Sequence, residues 1–303
     1  MPRLFLVAIG MLLPLLPSVA FGVDASWDVK LFSKSVYPGQ IIVISLEKAS
    51  FPSSNFKVTF SDLDIQLFNC PSKPDQTLCG IVPIPFETKA GSYEISARRE
   101  DSGVTRALSF SVQSGLYKTV KIQVNDETVH VNSEDQERAK REWQETKEIL
   151  HKYYPKLFWN TPFQLPVASK VTSPFGVKRV FNDVLQSYHQ GVDLRAWTGT
   201  SIRAANSGIV RLASNRFYAG NSVIIDHGFG FFTSYAHLSR IDVKRDQSVE
   251  KGQVIGLAGA TGRVSGPHLH WGATINGISV DAMQLKKSLQ PIFPKISAKA
   301  KAR

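Results

Sequence analysis

Residues 259–272 read G-A-T-G-R-V-S-G-P-H-L-H-W-G, a glycine-punctuated turn followed by two histidines one residue apart. On a strand, residues i and i+2 point to the same face with Cα atoms roughly 6.5 Å apart. His268 and His270 can therefore enter one cleft side by side, where one can bind a metal while the other acts as acid or base. Two further stretches carry the same chemistry: H-Q-G-V-D at 189–193 and S-Y-A-H-L at 234–238. On a straight strand His189 and Asp193 would lie about 13 Å apart, too far to share an ion. The backbone must bend between them, and Gly191 is the residue that most readily permits a bend. A helical turn is disfavoured because Gly191-Val192 makes a poor helix interior. A bent strand or tight loop is expected.

Together these motifs offer four histidines and a carboxylate. A catalytic zinc takes three protein ligands and leaves one position to water. Two histidines and one carboxylate suit zinc better than magnesium or calcium. The other three of the seven histidines have plainer explanations. His227 ends an apolar strand, His130 lies in the strand-like V-H-V-N, and His151 ends a helix, where a cation suits the macrodipole.

The chain at these residues resembles the lysostaphin-type (LytM-like) zinc metallopeptidases of bacterial cell walls. The resemblance runs from about Pro162 to about Leu289. It includes S-P-F-G-V (173–177), H-Q-G-V-D, S-Y-A-H-L-S, K-G-Q-V-I-G and the 259–272 stretch. It implies His189, Asp193 and His270 as zinc ligands, and His237 and His268 as the catalytic pair. Gln190, Ser265 and Trp271 depart mildly from the family pattern. The implied function is that of a zinc metalloendopeptidase hydrolysing peptide cross-links of peptidoglycan. The alternative is a non-catalytic wall-binding or amidase-activating protein on the same scaffold, whose usual mark, missing ligands, is absent.

The fold expectation is mainly β. Residues 24–115 show short alternating strands at 40–46, 56–60, 64–68, 92–97 and 107–112, the pattern of an immunoglobulin-like β-sandwich. Such a domain also resembles the accessory module of some of these enzymes. Residues 116–160 hold a strand pair (117–131) and a linker helix. There Ser133-Glu-Asp-Gln136 reads as a capping box with Ser133 as N-cap, and Trp143 and Leu150 supply a narrow packing stripe. That helix is expected to bridge the domains. Residues 161–290 return to strands and glycine turns, and S-G-I-V-R-L-A resembles K-G-Q-V-I-G-L-A in form, as a duplicated β-scaffold (a barrel-sandwich hybrid) would. Gly252, Gly256, Gly259, Gly262 and Gly266 are assigned to turns and close backbone approach.

Leu4–Val19 is almost entirely apolar and is followed by small-residue cleavage sites, so residues 1–22 read as a secretory signal. A periplasmic protein is expected; a secreted one, or one anchored by an uncleaved signal, is the alternative. Export makes a Cys70–Cys79 disulfide the expected state of the two cysteines. The net charge of +11 suits an anionic wall polymer or membrane surface. Nucleic acid is disfavoured as a partner by export, and by the mixed charges of the linker helix. Residues 291–303 form a basic tail.

Overall fold

The computed structural model describes residues 27–47, 52–115, 117–122, 132–181 and 184–294. The expected signal (1–22), the strand at 128–131 with His130, and most of the basic tail lie outside the described residues. No described helix is long and apolar enough to cross a membrane.

The first nine strands form a two-sheet sandwich. One sheet has the order Asp28–Leu31, Ile41–Glu47, Thr77–Pro83, Leu67–Asn69; the other runs Ser35–Val36, Thr105–Val112, Gly91–Arg99, Phe56–Phe60, Leu63–Ile65. Trp27, Ile42, Ile44, Leu46, Phe60, Leu78, Val82, Ile95 and Phe110 fill the space between them. The single strand expected at 64–68 is two strands. Leu63–Ile65 belongs to one sheet and Leu67–Asn69 to the other, so the chain crosses the sandwich at Gln66. Thr77–Pro83 was not anticipated, because all seven of its residues are buried and it has no alternation to read.

That burial has a structural cause. Inward residues of Ile41–Glu47 and Thr77–Pro83 pack in the sandwich. Their outward residues Ile41, Val43, Cys79 and Ile81, with Phe68 and Cys70, join one apolar cluster with Trp159, Phe231, Ile275, Leu285 and Ile292. Phe68 meets Trp159 and Phe229 at ring-centroid distances of 6.1 and 5.4 Å. Backbone bonds cross the same seam, from Ser72 N to Ile292 O (3.1 Å) and from Asp281 N to Gly39 O (2.7 Å). Cys70 and Cys79 form the expected disulfide at this hairpin, with Cα atoms 5.1 Å apart.

The C-terminal sheet has the main order Val171–Ser173, Gly191–Arg195, His268–Ile275, Phe231–Ile241, Gly220–Gly228, Gly208–Arg216, Ser248–Val249. Val254–Ala258 branches from it, pairing with both Phe231–Ile241 and Ser201–Arg203. Thr119–Ile122, the described part of the expected strand pair, pairs in parallel with Lys178–Phe181.

The helix Ser133–Leu150 differs from expectation in three ways. Its N-cap is Asn132, whose Oδ1 accepts from Asp135 N at 2.8 Å, so Ser133 is already helical. Trp143 is 63% exposed and takes no part in the packing stripe; Leu150 does as expected, beside the buried Ile149, against Leu212, Ile224 and Phe232. The helix lies on the C-terminal sheet rather than between domains. Polar contacts hold it there: Arg216 Nη1 to Glu145 (2.6 Å), Phe217 N to Glu142 (2.7 Å) and Arg138 to Asn215 (3.0 Å). His151 Nδ1 donates to Lys147 O at 2.8 Å, satisfying a terminal carbonyl of the helix.

Because the two halves share an apolar cluster, Phe68→Ala should cost about 3–5 kcal/mol and leave one cooperative unfolding transition. Denaturant titration followed by both tryptophan fluorescence and far-UV circular dichroism checks this. Two separated transitions in the wild type would contradict a shared core.

Candidate metal centre

The site begins with strand register. Gly191–Arg195 runs antiparallel to His268–Ile275, with Asp193 opposite His270 and Arg195 opposite His268. The alternate residues Val192, Leu194, Leu269 and Trp271 are buried on the far face. Apolar side chains therefore lock the register that brings the polar ones into one cleft.

His189 lies just before this strand. Its N donates to Val177 O and its carbonyl accepts from Gly176 N, both at 2.9 Å, while regular pairing with the neighbouring strand starts at Gly191 opposite Gly272. The chain thus bends between His189 and Asp193, as their shared site requires. Gly191 itself has no left-handed φ; its role is space. A Cβ there would sit 2.6 Å from His270 Nε2 and 2.8 Å from the Trp271 carbonyl.

The three side chains converge closely. Asp193 Oδ1 lies 3.1 Å from His189 Nε2 and 2.9 Å from His270 Nδ1, and the two nitrogens are 3.1 Å apart. His189 Nδ1 donates to Pro174 O at 2.9 Å, which turns Nε2 towards the site. A carboxylate and two imidazoles aimed at one point form an arrangement that a cation resolves, so the donor set fits a metal. Burial raises the pKa of the Asp193 carboxyl, but hydrogen bonds from His189 and His270 outweigh it and hold the group well below the usual carboxylate range. Burial pushes the His270 pKa down, against the pull of Asp193. Both shifts favour the ligand forms, an anionic carboxylate and a neutral imidazole.

His237 and His268 stand beside these three, with ring centroids 4.8 Å apart. His237 Nδ1 donates to Thr261 O at 3.0 Å, and His268 Nδ1 donates to Gly266 O at 2.9 Å. The Nε2 of His268 is 3.7 Å from Asp193 Oδ1. Burial lowers the His237 pKa to about 4, so the ring is neutral at pH 7. His237 adopts φ 63°, a left-handed conformation costly for a residue with a side chain. It sits where Phe231–Ile241 ends its pairing with His268–Ile275 and begins pairing with Val254–Ala258.

Sequence reasoning missed the groups that orient these rings. Thr261 is the main one: its carbonyl accepts from His237, while its Oγ1 accepts from Asn221 N (2.9 Å) and donates to Leu238 O (2.7 Å). Its place in G-A-T-G, beside two residues needing tight turns, was the available signal. Gly220 and Gly262 have φ of 62° and 78°, and a Cβ on Gly220 would lie 2.3 Å from Thr261 Oγ1. Gly252 (φ 84°) serves a turn, and Gly256 and Gly259 permit close approach to Arg240 O and Ser239 N. Nothing in the structure explains a glycine at 266. His227 is fully buried and its ring bonds Ser207 O (2.8 Å) and Thr233 Oγ1 (2.7 Å), a core residue as expected. Tyr235 is likewise structural, its hydroxyl accepting from Ala205 N at 2.8 Å, and Asn221 serves the strand pairing around Thr261.

A model of Peptidase family M23 matches residues 187–282, a span that contains all five convergent residues. Residues 187–282 thus make up an M23-like domain. Over 133 residues the chain is 41% identical to peptidoglycan DD-endopeptidase ShyA of Vibrio cholerae, covering 43% of this chain and 31% of ShyA. Over 121 residues it is 38% identical to DD-carboxypeptidase/endopeptidase Mpg of Neisseria meningitidis, covering 39% of this chain and 27% of Mpg. The chain thus spans less than a third of the length of these curated relatives. A crystal structure from Pseudomonas aeruginosa, described as a candidate M23 peptidase, superposes with a TM-score of 0.64 at 29% identity. It covers 83% of this chain and 95% of that one, so the likeness takes in the sandwich as well as the M23 domain.

Two outcomes are expected of the M23 domain. Gly191→Ala should displace His270 and abolish stoichiometric metal binding while circular dichroism stays native-like; metal analysis of the purified variant checks it. His227 is neutral in the fold at about pKa 4 but has its ordinary 6.5 when unfolded. Its contribution is complete above pH 6.5 and is lost as pH falls towards 4, a change on the order of 3 kcal/mol. Denaturant midpoints of wild type and His227→Gln at pH 7 and 4.5 should show a shallower acid loss in the variant.

Proposed function

We propose that the chain is an exported zinc metalloendopeptidase that hydrolyses peptide cross-links of bacterial peptidoglycan. The observation that carries this reading is the pairing of a three-donor cluster with two further histidines whose Nδ1 atoms are tied to backbone carbonyls, so that each turns its Nε2 elsewhere. A regulator that only binds wall polymer needs no such pair. The names of ShyA and Mpg supply the substrate class.

In this proposal His189, Asp193 and His270 hold zinc. Bound there, the metal supplies Lewis acidity and a water made acidic enough to attack at neutral pH. The rest is done by the chain. His237 is uncharged at pH 7 and accepts a proton at Nε2, while its Nδ1–H stays on the Thr261 carbonyl and fixes the ring. The proton it takes from the attacking water is then returned to the departing amine. His268, anchored on Gly266 O, presents its Nε2 to the same space. Once protonated, either ring stabilises the negative charge that develops on the scissile carbonyl oxygen.

The domain reading completes the proposal. Residues 1–22 are a signal, 24–115 an immunoglobulin-like accessory domain, 116–160 a connection, 161–290 the peptidase domain and 291–303 a basic tail. The expected location is the periplasm.

Digestion of purified peptidoglycan, with and without a zinc chelator, tests the activity by mass spectrometry of the released fragments. Chelator-sensitive loss of cross-linked dimers is expected. His189→Ala should lose both metal and turnover. His237→Ala should keep near-stoichiometric zinc and lose turnover by at least ~100-fold. Intact dimers from fully metal-loaded protein would shift the assignment to a wall-binding or amidase-activating role.

A further inference from the structure

We propose that Arg195 is a specificity-determining residue that binds a free carboxylate of the substrate peptide close to the scissile amide. This rests on the peptidase reading above and narrows its substrate to carboxylate-bearing peptides.

The placement comes from register. Arg195 is two residues beyond Asp193 on the same strand and lies directly opposite His268. It therefore occupies the cleft face with Asp193, His268 and His270, while Leu194 and Leu269 fill the buried face. Its backbone is fixed: Arg195 N donates to Lys170 O at 2.9 Å. The turn that follows is pinned by Gly199 N to Ala258 O (2.9 Å) and Thr200 N to Trp197 O (3.0 Å).

The side chain is not committed to the fold. Arg195 is exposed, and its guanidinium has no hydrogen bond or ion pair among the described residues. The nearest acid in sequence, Asp193, is engaged by His189 and His270. Other arginines in this domain are tied down: Arg203 to Gly252 O at 2.8 Å, Arg211 to Asp226 at 3.1 Å and Arg216 to Glu145 at 2.6 Å.

The surroundings favour an anion. The segments 194–203 and 259–268, which carry Arg195 and the carbonyls that hold His237 and His268, contain Arg195, Arg203 and Arg263 and no Asp or Glu. Trp197, two residues on in the adjacent turn, is 72% exposed and adds apolar surface to that turn. A guanidinium binds a carboxylate through two parallel hydrogen bonds, which makes it selective for that planar anion over a carboxamide. Two strand positions span about 6.5–7 Å. The carboxylate read by Arg195 therefore lies within about two residues of the scissile bond along an extended peptide.

The test uses full-length, metal-loaded protein and two synthetic cross-linked peptides. They are identical except that the residue supplying the amine of the scissile bond carries a free carboxylate in one and a carboxamide in the other. Wild type should prefer the carboxylate by ~10-fold or more in kcat/KM. Arg195→Met should lose that preference through a higher KM with kcat nearly unchanged, and Arg195→Lys should restore part of it. Calorimetric binding of both peptides to His237→Ala, with and without Arg195→Met, gives a second readout free of turnover. Equal rates and equal affinities for the two peptides in wild type, or an equal loss on both peptides in Arg195→Met, would overturn the assignment. If wild type cleaves neither peptide, the peptidase reading is what fails. The calorimetric arm still decides on Arg195: tighter carboxylate binding that depends on Arg195 upholds the assignment, and equal affinity overturns it.

Discussion

Asp193 faces His270 because Val192 and Leu194 on one strand, and Leu269 and Trp271 on the next, are buried together on the opposite face. Side chains alternate with a period of two, so a slip of one residue would carry the carboxylate into the apolar core and push leucine into the cleft. The polar geometry is thus enforced by apolar packing that never touches a ligand. Hydrogen bonding then refines it. Pro174, Thr261 and Gly266 each present a backbone carbonyl to a histidine Nδ1, and each fixes which ring nitrogen faces the site. Main-chain carbonyls cannot change protonation, so the tautomers do not drift with pH as they would if carboxylates held them.

His237 shows what that arrangement costs. Its left-handed backbone is disfavoured, and it lies where one long strand exchanges one neighbour for another. The exchange makes the corner. Thr261 holds it by bonding both the His237 ring and the adjoining Leu238 carbonyl, while His237 N is satisfied by Ala219 O at 2.8 Å. The strain falls on a residue of the site itself, and the surrounding bonds hold it there.

Much of this was legible in the chain. Alternation in H-L-H-W gave the shared face, and the impossibility of a straight H-Q-G-V-D gave the bend. The end of an apolar strand was reason enough to keep His227 out of the site. What sequence hid has physical causes. Thr261, Pro174 and Gly266 act through backbone atoms, which side-chain identity does not report. Gly191 looked like a hinge, but it is small because His270 lies against it. Thr77–Pro83 escaped notice because a strand covered on both faces loses the two-residue rhythm by which strands are recognised. Trp143 invited assignment to a packing stripe, yet Lys147 lies over its ring, 5.2 Å from the centroid, in the open.

The doubly covered strand Thr77–Pro83 has a further consequence. In an ordinary sandwich every second residue of a strand faces water, and those positions absorb polar changes at little cost. Here all seven successive positions are buried, Leu78 and Val82 in one core and Cys79 and Ile81 in the other. The segment therefore has no tolerant side, although it lies far along the chain from any residue of the M23 domain. Cutting the chain at about residue 161 would strip the far face bare, leaving Trp159's neighbours Phe231 and Phe293 without their cover. A C-terminal half prepared that way would be a sticky remnant rather than a miniature of the whole.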